Sequence, residues 1–513
     1  MTTDIQQTAP PLQIFQGTTA VWFKAKKDGE IYPSINLANF VHMHLQEIDF
    51  NQYTKHMEVT YRYSAYDYDT SMAYLPRYAL DTLCRFLTRN SVPYEIIPVE
   101  SYTPKMVKIP LKKNVTPREN QVDIINFLSD EKLTYHPLSA QCSIGKTVMS
   151  IMAMSHHGMV SMIVLPLLIP QWYKSIFQFT RLKKEDVYVI RGFDRLQRLW
   201  KMHEQGYKPK IIIFASRTLM LYAYTKTEGY ADLPSYAEFQ KQFGIGVKII
   251  DEVHLGFNAN VLIDLQSNIK HNIYLSATYG RSSQSGQAIF SLVFPTSVVY
   301  HNALRKKFTV VHPVSYSLGM GGDESPFVKQ KGYNQALYEN YILKILEFKR
   351  EFMNVVIPEV LTRFYYSRHQ PQYRVLILCQ TQKFAEAIAK AVMKYVNNNQ
   401  FTDENGAVFP RSIGVFFSGT TSQDELQKDI LISTVKSCGT GMDLKRLICC
   451  INTLSFSSSV LTVQMMGRLR EIPGEETHFV DLWCRDVPSH HRHINARKEE
   501  YIKIAKRLVE SRI

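Results

Sequence analysis

"SAQCSIGKTVMSIMAM", Ser139 to Met154, is the stretch on which the reading of the chain turns. It sets a Gly-Lys-Thr where an irregular polar segment passes into an apolar run. The phosphate-loop template G-x-x-x-x-G-K-[ST] is met in part: Gly145, Lys146 and Thr147 match, and Ala140 stands where the first glycine falls. A bare tripeptide is weak evidence. The rest of a nucleotide site must be found elsewhere in the chain.

Downstream, short apolar runs alternate with helical patterns: "MVSMIVLP", "KIIIFAS", "VKIIDEVH" and "NIYLSAT", then "RVLILCQ", "SIGVFFS", "DILIST" and "LICCINTLSF". Runs this continuous, too apolar for half-exposed strands, predict parallel strands covered by helices on both faces. Two successive sets predict two α/β domains, with the break near 295–310. A long helical stretch near Gln335 to Tyr366 precedes the main strands of the second.

"VKIIDEVH" supplies what the loop needs. Asp251 emerges at the C-terminal edge of a buried strand, where ligands of open parallel sheets bind. The pattern predicts that Thr147 and Asp251 share Mg2+, Lys146 meets the β/γ phosphates, and Glu252 orients and deprotonates the attacking water. The amides from Ser143 through Ile144 and Gly145 to Thr147, at a helix start, would cradle phosphate oxygens.

In order and spacing these segments resemble superfamily 2 helicases: motif I at Ser143 to Thr147, motif II as Asp251-Glu252-Val253-His254, motif III as Ser276-Ala277-Thr278. The resemblance extends from about residue 115 to 485. It implies ATP and Mg2+ as cofactors, with Gln121 reading adenine and Arg118 beside it. It implies nucleic-acid contacts from Pro166 and Gln171 in "VLPLLIPQW", from Ser216 and Thr218 after the following strand, from Gln380 and Thr381, and from Thr434. Motif V supplies Gly441 and Asp443, and motif VI, "QMMGRLRE", supplies Gln464 and Arg468. The family writes motif VI as Q-x-x-G-R-x-x-R, but position 471 is Glu471 and the second arginine is Arg470. Arg468 is the expected arginine finger. Arg470 is either a second one in a shortened loop or no finger at all.

The expected fold is two RecA-like P-loop domains in tandem, 111–300 and 301–513, behind a small N-terminal α+β domain, 1–110. The "QW" of motif Ia, the form of motif VI and "YLPRYALDTLCRFL" resemble UvsW-type phage helicases. That implies an ATP hydrolase remodelling branched DNA, by fork regression, junction migration or R-loop unwinding, in replication, recombination or repair. The implied partners are single- and double-stranded DNA and RNA–DNA hybrids. Two alternatives stand beside it: an ATP-gated duplex-DNA clamp that separates no strands, and an RNA helicase. The N-terminal domain is read as a removable branch-gripping unit whose loss spares hydrolysis.

Composition agrees with a nucleic-acid partner without requiring one. The 513 residues carry 60 Lys plus Arg against 46 Asp plus Glu, a formal charge of +14. No secretory leader and no apolar run long enough for a membrane span is evident, which predicts a cytoplasmic chain, in a host cell if phage-encoded, acting as a monomer. Seven scattered cysteines without C-x-x-C predict reduced, buried thiols. His490, His491 and His493 fit no standard zinc spacing. The stripe Phe384, Ile388, Ala391 and Tyr395 predicts helix packing. The basic C-terminal helix reads as solvated on one side or as DNA-facing. Tyr61, Tyr63, Tyr66 and Tyr68 read as a β core or as base-stacking groups.

Overall fold

All eight apolar runs are strands, and their neighbours in each sheet are parallel. The structure is a computed structural model. It describes residues 11–513 apart from 28–29, 32–36, 52–55, 141–143, 167–168, 225–231, 278–283, 303–306, 330–331, 369, 371, 400, 403–404, 410–411, 418–420 and 438–443. The chain divides into two compact units, 1–304 and 305–513. Each holds one doubly covered parallel sheet, so the architecture is a tandem of RecA-like domains.

In the first unit the sheet runs Val187–Ile190, Ile211–Ala215, Val160–Leu165, Ile245–Asp251, His271–Ser276, Tyr135–Ser139, Tyr300–His301. Alternation sorts its side chains. Ile163, Leu165, Ile213, Ile249 and Leu275 face one way with Met149 and Trp172. Met162, Val164, Phe214 and Tyr274 face the other.

Tyr135–Ser139, "YHPLS", which is not among the apolar runs read from the sequence, is a fully buried strand. Its composition argues against that placement, and two local features permit it. The outer neighbour pairs only with Leu138 and Ser139, so Pro137 lies where a missing N–H costs little. His136 donates from Nε2 to the Asp130 carbonyl at 3.2 Å.

The N-terminal region adds a mixed sheet ordered Ala65–Asp67, Met72–Pro76, Ala20–Lys24, Leu12–Gln16, Tyr94–Pro98, with the helix Leu80–Arg89. Its Ile14, Val21, Phe23 and Leu75 belong to the same buried cluster as Met162, Phe214 and Tyr274 of the parallel sheet. Polar bonds fix the seam: Thr19 Oγ1 donates to the carbonyls of Asp264 at 2.8 Å and Ser267 at 2.7 Å, and the Thr18 amide donates to Asn268 Oδ1 at 2.9 Å. The N-terminal region therefore packs on helices Phe257–Leu265 and Gln284–Val293 within the first compact unit, with Tyr63 against Phe257 at 5.3 Å between ring centroids. The tyrosines divide. Tyr63 is buried and its hydroxyl donates to Glu47 at 2.7 Å, whereas Tyr61 and Tyr68 are exposed.

In the second unit the parallel sheet runs Ile413–Phe416, Ile430–Thr434, Arg374–Cys379, Leu447–Asn452, Thr477–Cys484, Thr309–Tyr316, Arg507–Leu508. Cys449 and Cys450 are buried on its opposite faces. Helix Pro488–Ile504 is docked on this sheet: the buried Arg497 gives Asp481 bonds of 2.8 and 3.1 Å, and Tyr501 adds one of 2.7 Å. The three histidines near its start serve the fold. His490 accepts from the Cys484 amide at 3.0 Å, His491 donates to the Arg485 carbonyl at 2.9 Å, and His493 meets Ser455 Oγ at 2.9 Å. In helix Gln382–Asn398, Phe384 and Ile388 are core, with Ala391 and Tyr395 packed against it.

Candidate nucleotide and nucleic-acid site

The phosphate-loop helix Lys146–His157 starts from Gly145, whose φ of +100° lies in the left-handed region. A Cβ there would also stand 2.6 Å from Gln121 Nε2, so both backbone and space require glycine. Ala140, at the first-glycine position of the template, is buried and its amide donates to the Ser276 carbonyl at 3.0 Å. Lys146 Nζ donates to the Ala140 carbonyl at 3.1 Å, curling the lysine over its own loop. Thr147 follows, half-buried, while Ser143 lies outside the described residues.

Gln121 is 2% exposed. Its Nε2 donates to the Ile144 carbonyl at 2.6 Å and its Oε1 accepts from the Arg118 amide at 3.0 Å. In this geometry the amide ties the phosphate loop to the Arg118 turn. Arg118 itself is exposed.

Asp251 ends a strand buried along its whole length. Its Oδ1 accepts the Glu252 amide at 2.9 Å and its Oδ2 the indole N–H of Trp172 at 2.7 Å. Burial first, then the neighbouring Glu252 charge, pushes its carboxyl up to about 6, with Lys146 opposing. Two carboxylates crowded in this way call for a cation. Glu252 sits at φ +50°, strained for a non-glycine residue, and its Oε2 is buried with no hydrogen-bond partner among the described residues. His254 Nδ1 stands 3.5 Å from that oxygen and 2.8 Å from Ser276 Oγ, joining motif II to the next strand. The acidic pair supplies hard oxygen donors of the kind that fits Mg2+. Thr278 lies outside the described residues.

Trp172 is the residue that sequence reasoning missed. "QW" draws attention to Gln171, which is exposed, yet the adjacent tryptophan turns inward and binds the Asp251 carboxylate. The available signal was chemical: a buried indole N–H must find an acceptor.

Of the other nucleic-acid candidates in this unit, Pro166 and Ser216 are half-buried, and Thr218 is 8% exposed with its hydroxyl accepting the Gly192 amide at 3.0 Å. In the second unit Gln380 and Thr381 begin helix Gln382–Asn398. Both amides donate to the buried Glu339 carboxylate, at 2.7 and 2.8 Å, and the Thr381 hydroxyl does so at 2.7 Å. Thr434, 4% exposed, donates to Ser437 Oγ at 2.8 Å. Gln464 lies near the end of helix Ser459–Met466. Arg468 and Arg470 follow it, half-buried on either side of the buried Leu469. Gly441 and Asp443 lie outside the described residues.

No protein-family profile and no curated protein matches the chain. Among solved structures it is similar to T4 UvsW at 13% identity and a TM-score of 0.37, over 98% of this chain and 99% of that one. It is similar to the Pyrococcus furiosus Hef helicase domain at 12% and 0.43, over 74% and 98%. To S. cerevisiae Dbp5 bound to RNA and ADP BeF3 it is similar at 12% and 0.47, over 78% and 90%. At such values the likeness decides nothing about chemistry. The side chains described above must carry it. Among the described residues no helix is long and apolar enough to cross a membrane.

Proposed function

We propose that this chain is an ATP-driven nucleic-acid motor of the superfamily 2 helicase type, and that its substrate is branched DNA. The observation that carries the motor reading is the meeting of Lys146, Asp251 and Glu252 at the C-terminal edge of one parallel sheet, with a Glu252 oxygen that is buried and makes no hydrogen bond among the described residues. Bound there, Mg2+ would be held by Thr147 and Asp251 and would draw charge from the β and γ phosphates. Lys146 leaves the Ala140 carbonyl for a phosphate oxygen. Glu252 Oε2, buried and without a hydrogen bond among the described residues, accepts the proton of the attacking water. Arg468, with Arg470 as a second, supplies positive charge to the transferring group. Gly441, Asp443 and Gln464 complete the nucleotide site.

Support for DNA comes from the form of motifs Ia and VI and from the N-terminal sheet, which adds an aromatic, exposed surface at Tyr61 and Tyr68 to the motor. Pro166, Gln171, Ser216, Thr218, Gln380, Thr381 and Thr434 are the proposed contacts to the strand, as a cytoplasmic monomer working on forks, four-way junctions or RNA–DNA hybrids.

The test compares ATP hydrolysis and strand separation on a fork, a mobile four-way junction, linear duplex DNA and an RNA duplex, for the parent and Glu252→Gln. Parent activity highest on branched DNA, with hydrolysis by the variant about 10²- to 10⁴-fold slower at retained ATP affinity, is the expected result. Hydrolysis without strand separation would favour the clamp. Preference for the RNA duplex would favour an RNA helicase, and undiminished hydrolysis by the variant would remove Glu252 from its role.

A further inference from the structure

We propose that Trp172 is a positioning residue: its indole fixes the Asp251 carboxylate and ties it to the helix that presents Gln171. The inference rests on the motor reading above and adds to it a link between the nucleic-acid and nucleotide sites.

The geometry is specific. Indole nitrogen is a donor only, and here it meets an ionisable carboxylate at 2.7 Å with Trp172 1% exposed and Asp251 8% exposed. Each oxygen of Asp251 is thereby held by one N–H, Oδ1 by the Glu252 amide and Oδ2 by the indole. The carboxylate cannot turn without breaking both bonds, while each oxygen keeps a lone pair for the metal or its water. Such outer partners orient metal ligands and set their affinity.

The tryptophan also occupies a junction. It packs in one buried cluster with Ala140, Ile144 and Met149 of the phosphate loop and its helix. Its own helix, Ile169–Phe179, exposes Gln171 and Lys174 and buries Trp172 and Ile176. One residue thus separates a side chain facing solvent from the bond to the metal carboxylate. A strand that displaces Gln171 moves the indole with it.

Two full-length variants test this. Trp172→Phe keeps an aromatic ring and removes only the donor. The second, Trp22→Phe with Trp200→Phe and Trp483→Phe, leaves Trp172 as the sole indole. In Trp172→Phe, with melting temperature matched to the parent, the Mg2+ concentration for half-maximal hydrolysis should rise about 10- to 100-fold. Stimulation of hydrolysis by single-stranded DNA should fall with it. In the single-tryptophan protein, emission should change on adding Mg2+–ADP and, separately, a single-stranded oligonucleotide without nucleotide. Should Trp172→Phe fail to fold, the emission measurements decide alone. Silent emission with both ligands, or a folded Trp172→Phe whose Mg2+ requirement and DNA stimulation stay within twofold of the parent, overturns the inference and leaves the motor standing. A parent protein that neither binds Mg2+–ADP nor hydrolyses ATP overturns the motor reading, and this inference with it.

Discussion

Lys248 Nζ lies 2.5 Å from Asp264 Oδ1, a salt bridge with the lysine wholly buried and the aspartate nearly so. The aspartate's other oxygen accepts the Tyr274 hydroxyl at 2.7 Å, and its main-chain carbonyl takes Thr19 from the N-terminal sheet. Burial draws the lysine below and the aspartate above their ordinary ranges, each opposed by its partner. Removing one partner strands the other charge in the core. Lys248→Met should therefore cost about 3–5 kcal/mol in urea unfolding. The double variant Lys248→Met, Asp264→Asn, which keeps an acceptor for Tyr274, should recover more than half of that.

The N-terminal sheet should prove inseparable from the motor. A chain beginning at residue 111 uncovers helices Phe257–Leu265 and Gln284–Val293, which pack against the N-terminal strands and Tyr63. Its expected behaviour is aggregation and loss of ATP hydrolysis on any substrate. Thr19→Ala, which loses two hydrogen bonds at the seam, should lower stability by about 1–2 kcal/mol and leave the fold intact. A soluble, fully active 111–513 fragment would falsify the shared core.

Acid should unfold the first unit early. His136, His157 and His271 cluster at the C-terminal end of the phosphate-loop helix, the last two stacked with ring centroids 4.0 Å apart. Each donates one N–H to a carbonyl, of Asp130, Leu128 and Leu133, and its second nitrogen has no partner among the described residues. Burial lowers His136 to about 4 and His271 to about 3, and it lowers His157 too. The neighbours His156 and Lys270 push the same way, while Glu131 and Asp130 oppose. The sign follows from linkage: the unfolded chain binds these protons near pH 6.5 and the folded chain does not, so stability is full above that pH and falls steadily toward pH 4. The melting temperature should drop across this window. His136→Gln, which keeps a donor for Asp130, should flatten the fall, and an equal slope in the variant would remove His136 from the cause.

Arg468 and Arg470 should differ in effect. Arg468→Ala is expected to slow DNA-stimulated ATP hydrolysis by roughly 10³-fold, the range for a lost arginine finger, with ATP affinity little changed. Arg470→Ala should cost less if one finger suffices. Equal losses in single-turnover kinetics would instead assign both to the reaction, and an unaffected Arg468→Ala would exclude it.

Much of the site was legible because its parts are written locally. Gly145 is demanded by a left-handed backbone and a crowded Cβ position, and the carboxylates come at the end of a mainly apolar strand, Ile245–Asp251, broken only by Lys248. Gln121 was found, but its brace on the Ile144 carbonyl was not, because the partner lies 23 residues on. Thr218 was picked from its place after a strand, and only the fold shows its hydroxyl accepting from Gly192.

By itself the sequence determined which segments enter the two sheets and where a phosphate loop and an acidic pair must fall. Hydrophobic runs, glycine conformation and strand-end carboxylates are constraints within a few residues of chain. Tertiary structure alone decided that "YHPLS" would be a buried strand despite its composition, and that the N-terminal sheet would merge its core with the motor. It also decided that Trp172 would reach Asp251 across 79 residues of chain. Those outcomes depend on which distant acceptor or apolar face a group meets when water is excluded, and no local pattern encodes that partner.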